Sequence, residues 1–315
     1  MILPISLVIP TMNRPESLER TLDFIAKGKD VPAQVVVVDQ SQNIELQNKN
    51  QEVLNGFSGV FSQINYEYQE VPSLTKARNR GLEAVKNEIV VLADDDIDVN
   101  ADTISNVYEI FHDSKIAMIA GIDELTSKSS TNIGYILGTK SIRNRKIGHV
   151  TKSMLGRYPD CINGQIETQW AQGYFFAVRK SLIDKWQCRW DENLTSYAYA
   201  EDLDFSFNYY KHAKAEGLKC VLDSRVSVKH LATLEFRIPS EKSIYMYIVN
   251  RVYLSHKHKM GFYGNIASAW CNFWRLVQNV VSRQQPGVIA KAWLASIKYH
   301  KEVIEGNLDY DKFMK

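Results

Sequence analysis

"VVLADDDIDV", residues 90–99, sets three consecutive aspartates directly behind an apolar run. Residues 90–93 have the length and β-branched content of a buried strand, so Asp94-Asp95-Asp96 stands at a strand's carboxyl end. Adjacent carboxylates repel one another. The triplet therefore marks a solvated turn, a calcium loop, or a hard-cation site whose metal also grips a ligand's phosphates. An EF-hand loop opening at Asp94 needs Gly at its sixth position and Glu at its twelfth. Val99 and Ser105 stand there, so the calcium loop is excluded.

Outward from this stretch, apolar runs alternate with helical patterns. "ISLVIP" (5–10), "QVVVVD" (34–39), "INYEYQ" (64–69), "EIVVLA" (88–93) and "KIAMIAG" (115–121) read as strands. Helical segments are expected from Pro15, over 43–55, over 73–86 with Ser73 as N-cap, and over 101–112. This rhythm predicts an α/β fold, a mostly parallel sheet with helices on both faces. Ligands of such sheets bind beyond the carboxyl ends of the strands. Strand one ends in Thr11-Met12-Asn13-Arg14, strand two in Asp39 and a third in Asp94-Asp95-Asp96, all expected at one edge. No G-x-G-x-x-G follows strand one and no G-x-x-x-x-G-K-[ST] occurs, which removes the main support for a dinucleotide dehydrogenase or P-loop NTPase.

"LTKARNRGL" (74–82) places Lys76, Arg78 and Arg80 early in a helix, against its dipole. Lys76 and Arg80 are expected to pair with neighbouring acids. Arg78 offers a planar fork for a nucleotide. Residues 123–165 form a long polar and basic excursion. "TQWAQGYFFAVRK" (168–180) is strand-like, and its Gly173 permits a close backbone approach. Trp170 and Tyr174 suit core packing or an aromatic platform for a sugar. Glu201 and Asp202 open a helix, where acids are favourable in any case and where a general base could also stand. "RVSVKH" ends a further strand in His230.

The chain has 315 residues, 45% hydrophobic and 23% charged, with a net charge of +2, as expected of a globular protein with no global call for nucleic acid. Cys161, Cys188, Cys220 and Cys271 are widely spaced, which argues for reduced thiols in a cytoplasmic setting rather than a zinc or disulfide framework. The apolar N-terminus lacks signal-peptide features, and no run reaches the about 20 apolar residues of a spanning helix.

Taken together, "SLVIPTMNR", "VVVVDQS", "KARNRGL", "VVLADDDIDV", "YAEDLDF" and the downstream His230 resemble family 2 glycosyltransferases of the GT-A fold, in order and across residues 3 to about 232. The resemblance implies a Rossmann-like nucleotide-sugar-binding half over 1–122, an acceptor-binding and catalytic half over 123–235, and a C-terminal helical region over 236–315. It implies that Thr11, Arg14, Asp39, Arg78, Asp94 and Asp95 face the nucleotide sugar. Asp96 and His230 would hold Mg²⁺ or Mn²⁺, and Asp202 would be the base. Trp170, Tyr174 and Glu201 would face the acceptor. The implied activity is inverting transfer of a sugar from a nucleoside diphosphate to a hydroxyl of a glycan or lipid-linked saccharide, in bacterial surface polysaccharide synthesis. Two rivals are a sugar-1-phosphate nucleotidyltransferase, disfavoured because "PTMNRPES" lacks a glycine-rich loop, and a non-catalytic sugar-nucleotide-binding module.

The tail differs in character. From Glu241 onward 11 Lys/Arg face 5 Asp/Glu, leaving 27 against 31 for the preceding residues. Residues 243–301 predict three helices broken near Gly261 and at Pro286-Gly287. This region is expected either to pack on the core, to form an oligomer contact, or to meet an anionic membrane surface at the inner face of the cell.

Overall fold

The computed structural model describes residues 1–125, 136–137, 147–159, 162–231 and 240–315. Eleven strands are described: β1 (Ile2–Thr11), β2 (Val31–Asp39), β3 (Gln63–Tyr68), β4 (Ile89–Ala93), β5 (Ile97–Val99), β6 (Ile116–Asp123), β7 (His149–Val150), β8 (Gly156–Arg157), β9 (Gln165–Glu167), β10 (Phe175–Arg179) and β11 (Lys219–His230). Nine form one sheet in the order β3-β2-β1-β4-β10-β6-β11-β5, with β9 paired to β11. The expected divide at residue 122 falls within β6, so this sheet runs across it.

The expected parallel pairing holds for β1 with β2 and β4, for β2 with β3, and for β6 with β11. β10 runs antiparallel between β4 and β6, and β5 is antiparallel to β11. The sheet is therefore mixed. Its carboxyl edge still gathers the ends of β1, β2, β4 and β11 together with the start of β10. Alternate residues of each central strand serve opposite faces. Val36, Val38, Val90, Leu92 and Phe176 enter one core, while Val35, Val37, Val91 and Phe175 enter the other. Covering both faces explains why the strands read as continuous apolar runs.

The helices follow the expected pattern. α1 (Pro15–Ala26) starts with proline at its first turn and buries Leu18, Leu22 and Ile25. α2 (Ile44–Gly56) is capped by Asn43, whose side chain accepts from the Glu45 amide at 2.8 Å. α3 (Leu74–Ala84) begins after Ser73, whose hydroxyl contacts Thr75 instead of capping the helix. Gly81 lets α3 lie against β1, since a Cβ there would stand 2.3 Å from Val8 Cγ1. α4 (Thr103–Ile110), α5 (Lys180–Trp186) and α6 (Glu201–Ala215) complete the part built on the sheet. Arg80 pairs with Glu67 at 3.1 Å, as expected. The strand expected over 168–180 is shortened to β10, because Thr168 and Gly173 spend their polar groups on the Trp170 carbonyl and the Asp202 carboxylate.

The tail forms α7 (Ser240–Lys257), α8 (Gly261–Val281), α9 (Pro286–Lys298), α10 (His300–Ile304) and α11 (Tyr310–Phe313), with breaks where expected. α7 sends Tyr245, Met246, Ile248, Val249 and Leu254 into the core that also holds Val90 and Leu92. A buried polar cluster fastens it to α6: Asp204 meets His258 Nε2 and Lys257 Nζ, each at 2.7 Å. The tail is thus packed on the sheet-bearing part through α7. Cys188, Cys220 and Cys271 are buried free thiols; Cys161 and residues 126–135 and 138–146 of the 123–165 excursion lie outside the described residues.

Candidate active site

The three aspartates diverge in environment. Asp95 points inward and is fully buried, with Arg14 Nη2 at 2.5 Å and the Thr11 hydroxyl donating to it at 2.6 Å. Burial pushes its carboxyl up to about 7, against the opposing pull of Arg14 and Thr11. Thr21 of α1 accepts from the Ile97 amide at 3.2 Å and donates to the Asp95 carbonyl at 2.9 Å, which fixes the turn between β4 and β5. Asp95 is the structural member of the triplet, and it ties β1 to the turn.

Asp94 and Asp96 face His230. His230 Nε2 lies 3.3 Å from Asp96 Oδ1 and 4.0 Å from Asp94 Oδ2, and the ligand atoms of the three residues fall within 4.8 Å of one another. Ligands about 2.1 Å from a cation in octahedral array stand about 3 Å apart in adjacent positions and about 4.2 Å apart in opposite ones. Two carboxylate oxygens and one imidazole nitrogen also suit Mn²⁺ or Mg²⁺ chemically. The residues fit the group. Arg14 Nη1 stands 3.6 Å from Asp96. Burial works against a charged His230, but Asp96 and Asp94 hold its pKa above the ordinary value.

His230 is positioned by a residue whose role the sequence did not reveal. Tyr174 stacks on the imidazole with ring centroids 5.3 Å apart, and its hydroxyl donates to the Gly121 carbonyl at 3.0 Å. The His230 amide donates to Asp123 at 3.1 Å. Tyr174 is buried, so it steadies His230 rather than offering a platform to a sugar. Trp170 is corrected in the same way. Its indole is buried, packs on Tyr158 at 4.6 Å and donates to the Arg157 carbonyl at 3.3 Å. Gly156 lies against the indole, where a Cβ would come within 2.2 Å of it, so neither ring face is open.

Arg78 is only 2% exposed, which changes the reading of its fork. Nη2 donates to Asp94 Oδ1 at 2.9 Å and to the Gly173 carbonyl at 3.2 Å, while Nη1 lies 3.4 Å from Glu201. It braces the acids from beneath. Glu201 is itself buried and accepts from the Trp190 indole; burial, outweighing Arg78, pushes its carboxyl up to about 8. Glu201 therefore belongs to the support rather than to an acceptor surface.

Asp202 is half-buried, next to Glu201 at the start of α6. The Gly173 amide donates to its Oδ2 at 2.8 Å and the Leu203 amide to its Oδ1 at 2.7 Å. Burial raises its pKa, while these amides and Arg78 pull the other way. The approach expected at Gly173 is confirmed: a Cβ there would stand 2.9 Å from Arg78 Nη2 and 3.2 Å from Asp202 Cβ. α6 opens from Ala200 at φ 67°, after Ser196 and Ala198 at 60° and 52°. Such non-glycine strain concentrates at functional sites.

Asp39 sits apart from the Asp94, Asp96 and His230 cluster. It is fully buried at the end of β2 and accepts from the Ser41 amide at 2.8 Å, from Asn50 at 2.9 Å and from the Tyr66 hydroxyl at 2.8 Å. Asn50 and Tyr66 are partners that no motif announced.

Comparison with known proteins bears on the family and the fold. The sequence profile of Glycosyl transferase family 2 matches residues 6–186. No curated protein sequence matches the chain. The fold is similar to S. aureus TarS (TM-score 0.53, 15% identity, 79% of this chain and 39% of that one). It is also similar to GalNAc-T7, solved with UDP, GalNAc and Mn²⁺ (TM-score 0.57, 18% identity, 78% of this chain and 48% of that one). A third is the mannosyltransferase PcManGT from Pyrobaculum calidifontis, in complex with GDP-Man and Mn²⁺ (TM-score 0.55, 13% identity, 96% of this chain and 84% of that one). The chain thus spans less than half the length of the first two.

Proposed function

The chain belongs to glycosyl transferase family 2, and from that membership we propose that it transfers a sugar from a nucleoside diphosphate to an acceptor hydroxyl, with inversion and with the help of a divalent cation. The observation that carries this reading is the convergence of Asp94, Asp96 and His230 beside a half-buried Asp202 held by the Gly173 amide. Mn²⁺ accompanies nucleotides or nucleotide sugars in two of the similar structures, which supports the same ligand class here.

In this mechanism Asp94, Asp96 and His230 hold the cation. When bound, it supplies Lewis-acid stabilisation of the negative charge that develops on the leaving diphosphate. Arg14, with Thr11 and the buried Asp95, keeps the β4–β5 turn rigid so that Asp96 stays in register. Arg78 holds Asp94 and the Gly173 backbone in fixed relation. Asp202 accepts the proton of the acceptor hydroxyl as that oxygen bonds to the anomeric carbon and the bond to the diphosphate oxygen breaks. The raised Asp202 pKa brings the base closer to neutrality, where proton transfer is more effective. We assign residues 1–122 to the donor, 123–235 to the acceptor and the reaction, and the acceptor itself to a glycan or lipid-linked saccharide of a bacterial surface polysaccharide.

The test is release of nucleoside diphosphate from a panel of uridine, thymidine and guanosine diphosphate sugars, with and without EDTA. At least one donor should turn over, and EDTA should stop it with Mn²⁺ restoring it. Turnover untouched by EDTA would remove the cation from the mechanism.

A further inference from the structure

α8 (Gly261–Val281) is built inside out. The residues it buries are small or polar: Gly264, Ser268, Cys271 and Asn272. At helical spacing on the opposite face stand Phe262, Ile266, Trp270, Phe273 and Val280, which are 46–74% exposed. Water-facing positions of a surface helix ordinarily carry charge, and the core-facing ones carry the apolar stripe. Here the order is reversed. The neighbouring α9 adds Leu294 and Ile297, at 65% and 62% exposed. Of the nineteen exposed large hydrophobic residues among those described, nine fall between Phe262 and Ile297. Such concentration marks a surface with a partner.

The charges around this face identify the partner's chemistry. Residues 243–301 hold eight Lys/Arg and no Asp or Glu. Arg283, Lys291 and Lys298, which flank the exposed apolar residues in sequence, are all exposed. A second copy laid face to face would bring like charges together, as a two-fold contact requires. An anionic lipid surface offers acyl chains to the aromatic residues and phosphates to the basic ones. No helix among the described residues is long and apolar enough to cross a membrane, so the helix would lie on the surface.

We propose that the outward face of α8 docks on an anionic bilayer, with Phe262, Ile266, Trp270 and Phe273 at headgroup depth and Arg283, Lys291 and Lys298 on lipid phosphates. Docking by α8 leaves α7 free to hold the catalytic part to the membrane-bound helices.

The experiment is co-sedimentation with phosphatidylcholine vesicles, with and without phosphatidylglycerol, at low and high salt. Wild-type protein should pellet only with the anionic vesicles and be released by salt. Phe262→Glu/Ile266→Glu/Phe273→Glu should pellet at least about tenfold less while keeping its near-ultraviolet circular dichroism. Arg283→Glu/Lys291→Glu, at exposed positions outside the apolar stripe, should also bind less. Wild-type protein left in the supernatant at low salt would overturn the proposal, as would a triple variant that pellets undiminished. So would a concentration-dependent dimer in light scattering that the triple variant abolishes, since the face would then be a contact between copies. The vesicles contain neither donor nor acceptor, so failure here leaves the glycosyl-transfer reading standing.

Discussion

The buried Arg78 guanidinium donates to Asp94 at 2.9 Å, through one oxygen of a carboxylate whose other oxygen lies 4.0 Å from His230. One side chain thus links the candidate cation site to the support beneath it. Arg78→Ala removes this brace and leaves a cavity. Breaking a buried ion pair costs ~3–5 kcal/mol, and the lower end is expected because Glu201 can keep its proton. Chemical denaturation checks this. A loss below about 1 kcal/mol would show that Arg78 does not brace the acids.

Gly173→Ala should damage the reaction more than the fold's outer parts. The new methyl would meet Arg78 Nη2 at 2.9 Å and Asp202 Cβ at 3.2 Å, displacing the proposed base and its brace together. Turnover should fall by about tenfold or more, since small misplacements of reacting groups are costly. Steady-state kinetics that match wild type would show that the close approach has no bearing on catalysis.

Asp202→Asn keeps the shape and loses the proposed base. Donor binding should stay near wild type while turnover drops by ~10²–10⁴. Binding is followed by calorimetry and turnover by diphosphate release. A change of only a few-fold would mean that the proton leaves by another route.

Glu201 gives a pH signature in stability. Burial raises its pKa from 4.5 to about 8, so the folded form holds this proton more tightly than the unfolded chain. Its contribution is therefore complete below about 4.5 and is lost as pH climbs through about 8. Glu201→Gln fixes the neutral shape and removes that dependence. Thermal melts at pH 5 and pH 8 should show wild type losing more stability than the variant. Parallel losses in the two proteins would contradict the assignment.

Much of this was legible before any coordinates, and for identifiable reasons. Strands buried on both faces announce themselves as apolar runs, and polar residues at their ends could be placed at one edge. Gly173 was suspect as a glycine inside a strand-like pattern, and the tail's breaks were written in Gly261 and Pro286-Gly287. What stayed hidden depends on pairing across the chain. The reversed β10 cannot be told from a parallel strand by its own residues. The burial of Trp170 rests on Gly156 and Tyr158, more than ten positions away. Asp95 and Asp96 are adjacent and chemically identical; only the course of the β4–β5 turn sends one to Thr11 and Arg14 and the other to His230. The outward direction of the apolar face of α8 depends on what the helix packs against, so it required the fold.

The central claim is that Asp94, Asp96 and His230 hold a divalent cation that grips a nucleoside diphosphate. Calorimetric titration of uridine, thymidine and guanosine diphosphates, with and without Mn²⁺, tests it on wild type and on Asp96→Ala. One of the nucleotides should bind wild type only with Mn²⁺ present and should fail to bind the variant, whose melting temperature stays close to wild type. Binding that is equally tight without Mn²⁺, or that survives in Asp96→Ala, would contradict the account.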